Sequence, residues 1–155
     1  PFTFDPDYKN AAGVAQFLTG TPPILSLAVL DSALDIFTDI TITDINRKAN
    51  ALAELFLDLV TNDKDLHCLA LESKADSALR GTQLAFSHAD AYAISRALNK
   101  ARVVVDFRSP DIIRFGFSPL FLRFEDIWRA TQIIKEIVKE KTYLADEFSQ
   151  KLKVT

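Results

Sequence analysis

The chain has 155 residues and a net charge of -3, with 18 Lys and Arg against 21 Asp and Glu, and 48% of its residues are apolar. It can therefore bury a core, and its length fits one packed domain better than two. The acidic balance provides no basic field for a phosphate backbone, so we do not expect nucleic acid as a partner.

The scarce thiol and imidazole groups limit the cross-links and metal sites the chain can form. Cys68 is the single cysteine and there are two histidines, too few for an internal disulfide or a zinc cluster of these residue types. We therefore expect a reducing, cytoplasmic location and no metal. The longest apolar stretch starts at Pro22 and is interrupted by Asp31, short of the roughly 20 residues of a membrane span. The chain starts with proline and has no methionine, which suggests a fragment.

The first part of the chain contains an irregular arm and a helix. Residues 1–20 mix Pro, Asp, Gly and aromatic residues without a regular period, so we predict an extended arm over 1–20 and one packed domain over 21–155. Thr21 and Pro22 suit a helix start, and a helix is predicted from Pro22 to about Thr38. Apolar residues lie on more than one face of this helix, which predicts burial on two sides.

The middle of the chain predicts two amphipathic helices and two short strands. A second helix starts near Thr43, a covered strand spans 67–72, and another strand spans 82–86. Ser87 can cap a third helix that runs from His88 to about Lys100. The residues expected to face inward from these two helices are Ile45, Ala49, Leu52, Phe56 and Leu59, then Ile94, Ala97, Leu98 and Ala101.

The last part predicts a β-hairpin and a final helix. Strands over 102–107 and 112–117 flank a turn at 108–111, where Pro110 suits a reversal, so the pair should be antiparallel. The final helix starts around Phe124 and could continue to Leu152. Its expected inward residues are Ile127, Ala130, Ile134, Ile137 and Val138. The predicted fold is α+β: a small, mainly antiparallel four-stranded sheet with helices packed on one face.

Arg114 is the strongest candidate for a binding residue. Alternation along the strand places it beside Gly116, on the face opposite Ile113, Phe115 and Phe117. An arginine fork matches a carboxylate in two parallel hydrogen bonds, and glycine leaves room for a planar anion. The alternative is an arginine that pairs with an internal Asp or Glu, or that points to solvent.

Thr21 is the second candidate. A helix N-terminus with a hydroxyl group can hold a phosphate, and Gly20 would let a ligand approach closely. The simpler alternative is that Thr21 only caps its own helix.

The remaining charged and nucleophilic residues form no pattern that predicts a catalytic or cofactor-binding site. Surface pairing is the expected role of Arg80 and Arg108, and neither His67 nor His88 has the neighbours of a catalytic triad. There is no dinucleotide or phosphate-binding glycine motif, and no lysine lies in a turn suited to covalent cofactor binding. The lysines expected to be solvated are Lys9, Lys48, Lys64, Lys74 and Lys100.

Four separated stretches resemble consecutive parts of bacterial kynureninases, in the same order and spacing. These are residues 4–8 (FDPDY), 17–25 (FLTGTPPIL), 80–84 (RGTQL) and 106–120 (DFRSPDIIRFGFSPL). The resemblance runs from the start of the chain to about Val138, and the tail over 139–155 adds nothing to it.

The resemblance implies a fold-type-I pyridoxal 5′-phosphate enzyme, with this chain as its C-terminal small domain and the arm that leads to it from a large domain. It implies hydrolysis of L-kynurenine to anthranilate and L-alanine, in tryptophan catabolism and NAD biosynthesis, by a homodimer. Arg114 matches the arginine that binds the substrate carboxylate. Thr21 matches a position that reaches the cofactor or substrate site, typically from the neighbouring subunit. The catalytic lysine would precede this chain, which would then contain no catalytic residue.

Two other classes remain open from the sequence. The chain could be the small domain of another fold-type-I enzyme, such as a cysteine desulfurase or a class V aminotransferase, although the stretches over 21–23 and 106–110 favour the kynureninases. It could also be a stand-alone α+β binding or dimerisation module. An open reading frame that continues upstream into a lysine-bearing domain would favour the enzyme.

Overall fold

The computed structural model describes residues 7, 9–18 and 20–150, and the chain divides into two units, Pro1–Ile40 and Thr41–Thr155. Part of the predicted arm, residues 1–6, 8 and 19, lies outside the described residues. The division into an arm over 1–20 and a domain over 21–155 stays a prediction.

The first unit contains one α-helix whose start differs from the prediction. Helix α1 spans Ile24–Leu34, with Pro23 at its N-cap position and no side-chain cap, so Thr21 does not cap it. The reason is the double proline, because a residue that precedes proline is disfavoured in the helical region, and Pro22 precedes Pro23. The helix is flanked by 3-10 helices at Gly13–Phe17 and Asp35–Phe37.

The predicted burial of α1 on two sides is wrong for this chain. None of its residues is buried, and the side chain of Leu25 is 84% exposed. Apolar residues do lie on more than one face of the helix, as the sequence indicated, but none of them is buried by the described residues.

The second unit contains the sheet and four α-helices. The helices are α2 (Ile42–Thr61), α3 (Ala91–Lys100), α4 (Phe124–Lys139) and α5 (Asp146–Ser149). The strands are β1 (Ala70–Leu71), β2 (Leu84–Ser87), β3 (Asp106–Arg108) and β4 (Ile112–Phe115). Short 3-10 helices lie at Lys64–Leu66, Ser77–Leu79 and Thr142–Leu144. No helix in the described part of the chain has the length and apolar character needed to cross a membrane.

The four strands form one antiparallel sheet in the order β1-β2-β4-β3. In the β2–β4 pair, Ala85 lies opposite Arg114, and in the β3–β4 pair, Asp106 lies opposite the same Arg114. The predicted antiparallel hairpin at the end of the sheet is confirmed.

The core lies between one face of this sheet and helices α2, α3 and α4. Alternate strand residues, such as Phe86, Ile113 and Phe115, are buried against the helices, whereas Arg114 on the other face is partly exposed. The ring of Phe56 contacts those of Phe86, Phe115 and Phe117, with centroids 6.0, 4.7 and 5.3 Å away. The predicted α+β class, with helices on one face of a four-stranded sheet, is confirmed.

All four strands are shorter than predicted, most of all β1 and β3, where a turn or a side chain uses the neighbouring backbone groups. Before β3, the Val105 amide donates to the Asn99 side chain at 2.9 Å, and the Val103 amide donates to the Leu98 carbonyl, so this segment completes α3 and not the sheet. Strand β1 starts only at Ala70 because the residues before it form the 3-10 turn at Lys64–Leu66.

The start of α3 and the end of α4 also differ from the prediction, whereas the start of α4 agrees with it. Ser87 ends β2 and donates its hydroxyl to Glu72 at 2.6 Å, so it does not cap α3. Helix α4 starts at Phe124 as predicted, where the Asp126 carboxylate accepts from the Arg123 amide. Hydrogen bonding from the Arg123 side chain, and next from that amide, lowers the pKa of Asp126 to about 2. The helix ends at Lys139 and not near Leu152, since Lys141 takes a left-handed conformation.

Candidate functional site

Arg114 lies in the middle of the sheet, on the face that the helices leave open. Strand β4 is an interior strand, so the position of Arg114 is fixed by hydrogen bonding on both sides. Its flanking residues Ile113 and Phe115 are buried in the core, which holds the backbone of the arginine in register. The guanidinium-bearing side chain is 29% exposed.

Arg114 is paired within the chain, which was the alternative to a free ligand-binding role. Its Nε donates to Oδ2 of Asp106 at 2.9 Å, and its Nη2 donates to the same oxygen. Directly opposed residues of an antiparallel pair share a face, and this places the two side chains together. The role of Arg114 as a substrate-binding residue remains a prediction. A substrate carboxylate would have to bind Arg114 while Asp106 occupies Nε and Nη2.

One edge of the Arg114 guanidinium stays unused. Nε and Nη2 form one edge of the planar group, and both face Asp106. Nη1 and the second hydrogen of Nη2 form the other edge, and no described residue accepts from it. Since arginine has five donors in a rigid fork, the pair with Asp106 leaves one edge available for a carboxylate.

Asp106 is shared between two arginines. Arg108 Nη2 lies 3.2 Å from Asp106 Oδ2, in an exposed pair that confirms the expected surface pairing of Arg108. One carboxylate against two guanidinium groups leaves this cluster with a net charge of +1. The cluster formed by Asp106, Arg108 and Arg114 can therefore still attract an anion.

The space around the cluster is open on the side of Gly116. A Cβ built on Gly116 would meet nothing within 4 Å, so the glycine is not required by packing inside this chain. An apolar cleft of about 530 Å³ lies between the end of β4 and α4, lined by Phe117 and Ile133 among others, but Arg114 does not line it. The cleft therefore reaches the neighbours of the cluster, Val105 and Gly116, whereas the charged residues of the cluster lie on the exposed face of the sheet and do not line it.

Thr21 lies in the other unit, in the irregular segment before α1. It is exposed, and its hydroxyl has no hydrogen-bond partner among the described residues. The expected phosphate site at a helix N-terminus is not formed by Thr21, since α1 starts only at Ile24 and the two intervening prolines have no N–H. The Thr21 hydroxyl can make one hydrogen bond to a cofactor or substrate, but it does not form a complete cofactor site by itself. The cofactor role of Thr21 stays a prediction.

Both histidines and one lysine make hydrogen bonds to the backbone of the described chain. The His88 Nδ1 accepts from the Asp90 amide at 2.9 Å, and the His67 Nε2 lies 3.2 Å from the Thr61 carbonyl oxygen. Lys48 is half-buried and donates to the Pro119 carbonyl at 2.6 Å, so the expectation that it is a solvated charge is wrong.

Arg80 is not the surface-paired residue that the sequence suggested. Its Nη1 donates to the Gly81 carbonyl at 3.1 Å, but Nε and Nη2 are buried and have no partner in the part of the chain that the structure describes. Such unpaired donors are unfavourable, because burial removes their water without replacing it. Sequence reasoning missed this, since burial of an arginine tip has no local sequence pattern.

Replacing Arg80 with methionine is expected to stabilise the chain. The methionine keeps an unbranched, flexible side chain, though a shorter one, and removes two buried unpaired donors together with the exposed Nη1 hydrogen bond to the Gly81 carbonyl. The net effect should raise the free energy of unfolding by about 1 kcal/mol. Urea denaturation of the chain followed by circular dichroism measures this. The control is Arg47→Met, at an exposed pair with Asp44, where the change should stay within about 0.5 kcal/mol. If Arg80→Met clearly lowered the free energy of unfolding and Arg47→Met did not, the Arg80 Nε and Nη2 groups would have to be paired in the folded chain.

Asp106 is the site residue that sequence reasoning missed, and a signal for it was available. The hairpin pairs Arg108 with Ile112, and the same register pairs Asp106 with Arg114. A three-residue turn over 109–111 in the predicted hairpin would have placed the two charges opposite each other. The predicted strand ended at 107, which obscured this register.

Comparison with known proteins identifies relatives over nearly the whole chain. The family model described as the kynureninase C-terminal domain matches residues 45–134, which include the cluster of Asp106, Arg108 and Arg114. The chain is 38% identical over 154 residues to a protein named kynureninase from Pseudomonas fluorescens, covering 99% of this chain and 37% of the relative. It is 36% identical over 155 residues to proteins of the same name from Burkholderia mallei (strain SAVP1) and Burkholderia pseudomallei (strain K96243), covering 100% of this chain and 37% of each relative. The chain thus spans little more than a third of the length of these relatives.

Proposed function

Because the chain belongs to the kynureninase family and matches its C-terminal domain, we propose that it is part of a hydrolase that cleaves L-kynurenine to anthranilate and L-alanine. The observation that carries the proposal is similarity over 99% to 100% of the chain to proteins named kynureninase. Since the chain spans 37% of their length, the activity belongs to a longer protein. The reaction would serve tryptophan catabolism and NAD biosynthesis.

In this proposal, Arg114 binds the carboxylate of the amino-acid substrate. The edge formed by Nη1 and Nη2 would accept the two carboxylate oxygens in parallel hydrogen bonds. The net charge of the cluster and its position on an open sheet face support this role. Binding at a fixed arginine would orient the substrate, so that its reacting carbon meets the cofactor in one geometry.

Thr21 would supply one hydrogen bond to the cofactor or the substrate, from the neighbouring subunit of a homodimer. Its exposed hydroxyl, without a partner among the described residues, supports such a contact. Helix α1, which starts three residues later, supports burial in a larger assembly, because apolar residues on more than one face of a helix are typical of a protein interior.

The full-length enzyme would use pyridoxal 5′-phosphate, which would supply an electron sink for negative charge at the carbon that bears the amino group, while water is used to break the bond between the β- and γ-carbons of the substrate. The lysine that binds this cofactor would come from the part of the enzyme outside this chain. The residues of this chain would hold the substrate and close the site over it, and none of them would transfer a proton or attack the substrate.

The proposal is tested with the full-length protein. Purified with pyridoxal phosphate, it is expected to convert L-kynurenine to equimolar anthranilate and L-alanine, measured by anthranilate fluorescence and by amino-acid analysis. A folded, cofactor-loaded protein that releases no anthranilate, but removes sulfur from cysteine or transfers the amino group, would overturn it.

The isolated chain is expected neither to bind pyridoxal phosphate specifically nor to cleave kynurenine. Its engaged lysines are structural: Lys48 bonds to the Pro119 carbonyl, and Lys100 pairs with Glu147 at 2.7 Å. Absorbance titration of the chain with the cofactor, with the full-length protein as positive control, measures this. Saturable binding at one cofactor per chain, with a visible absorbance band, would contradict the expectation.

A further inference from the structure

Asp106 holds one edge of the Arg114 guanidinium and leaves the other edge free. Both hydrogen bonds from Arg114, from Nε and from Nη2, end on the same oxygen, Oδ2 of Asp106. No described residue accepts from Nη1. A planar group fixed along one edge has its remaining donors aimed in one direction.

The pair is built into the sheet and does not depend on a loop. Asp106 and Arg114 are direct cross-strand partners in β3 and β4, and β4 is also paired with β2. The next residues, Phe107 and Ile113, face the core, and the ring of Phe107 contacts that of Tyr92 on α3. The backbone of both charged residues is therefore held in place before any ligand arrives.

Asp106 does not cancel the attraction of the site for an anion. Its Oδ2 also lies 3.2 Å from Arg108 Nη2, so its negative charge is shared between two arginines. Glu72 follows β1, at the opposite edge of the sheet from β3, and its carboxylate accepts a hydrogen bond from the Ser87 hydroxyl at 2.6 Å. With Arg108 present, an arriving carboxylate meets a net positive cluster and not an isolated aspartate.

We propose that Asp106 is a positioning residue, which orients Arg114 so that its free edge receives the substrate carboxylate. This inference rests on the function proposed above. A long arginine side chain that is held in one rotamer loses less freedom when the ligand binds, so the pair should strengthen binding of the carboxylate. The alternative is that the pair only connects the two strands of the hairpin.

The test uses full-length enzyme with Asp106→Ala and compares two ligands. One is L-kynurenine, and the other is its analogue without the carboxylate, used as a competitive inhibitor. We expect the KM for L-kynurenine to rise about tenfold, with a smaller change in kcat, because a loosened Arg114 grips the carboxylate less well. The inhibition constant of the carboxylate-free analogue should stay within about twofold, since it cannot use Arg114.

A matched control is Glu125→Ala, which removes the carboxylate partner of the exposed Arg129 on α4 and should change neither constant. If Asp106→Ala does not fold, judged by its melting temperature, the isosteric Asp106→Asn decides, with an expected rise in KM of about threefold or more.

The outcomes separate this inference from the proposed function. In one case the wild-type enzyme is active and the Asp106 variants keep the wild-type KM, or raise the KM for L-kynurenine and the inhibition constant of the analogue by equal factors. Either result would overturn the positioning role of Asp106 and leave the proposed function standing. A folded, cofactor-loaded wild-type protein that does not act on L-kynurenine would overturn both.

Discussion

Replacing Arg114 with lysine in the full-length enzyme is expected to lower kcat/KM for L-kynurenine by about tenfold or more. Lysine keeps the positive charge but has no planar fork, so it cannot hold Asp106 on one edge and a carboxylate on the other. The loss should appear mainly as a higher KM, because the carboxylate contact is present in both the ground state and the transition state. Steady-state kinetics with anthranilate fluorescence measures it.

A matched control separates this effect from a general loss of an arginine. Arg47→Lys makes the same substitution in α2, where Arg47 forms an exposed ion pair with Asp44 at 2.5 Å. This variant should leave kcat/KM unchanged. Equal kinetics for Arg114→Lys and wild type would mean that Arg114 serves only the pair with Asp106. The substrate carboxylate would then need another partner.

The helices were predictable because their pattern is local. The spacing of Ala49, Leu52 and Phe56 predicted the buried face of α2, and all three are buried. The same reasoning placed Ile127 and Ile134 on the buried face of α4. It missed Thr131, which is buried because its hydroxyl donates to the Ile127 carbonyl at 2.9 Å and so is satisfied within the helix.

The strand ends and the state of Arg114 were less predictable because they depend on partners distant in the sequence. A strand ends where its neighbour stops pairing, and Val105 is bound by the Asn99 side chain instead. The alternation that placed Arg114 opposite the core was enough to suggest a binding role. The charge that faces it is set by the register of the hairpin, which alternation in one strand does not contain.

The exposure of α1 shows a different limit of prediction from sequence. Its apolar residues predicted a covered helix, but in this chain Ile24 and Leu25 are 70% and 84% exposed. A sequence pattern indicates that a helix needs cover, and does not say which chain or which part of a chain provides it. The same holds for Arg114, whose charge is in place on a partly exposed face of the sheet, outside the cleft beside β4.

Replacing Phe56 with alanine is expected to lower the free energy of unfolding by about 3 to 5 kcal/mol. Phe56 is fully buried in α2, and its ring contacts Phe86 of β2, Phe115 of β4 and Phe117 just beyond it. Removing the ring loses its own burial and leaves a cavity between the helix and two strands. The sheet is too constrained by pairing to close that cavity fully. Denaturant unfolding of the chain measures the change.

The effect should reach the Arg114 cluster, since Phe115 is the residue next to Arg114 and packs against Phe56 at 4.7 Å. In full-length enzyme that remains folded, Phe56→Ala should therefore weaken substrate binding as well as stability, whereas Phe56→Leu should show a smaller loss of both. The matched control is Phe121→Ala, at a ring that is 73% exposed, with an expected loss below about 1 kcal/mol. Similar losses in Phe56→Ala and Phe121→Ala would show that the ring cluster does not hold the helix to the sheet. The register of Arg114 would then have to depend on strand pairing alone.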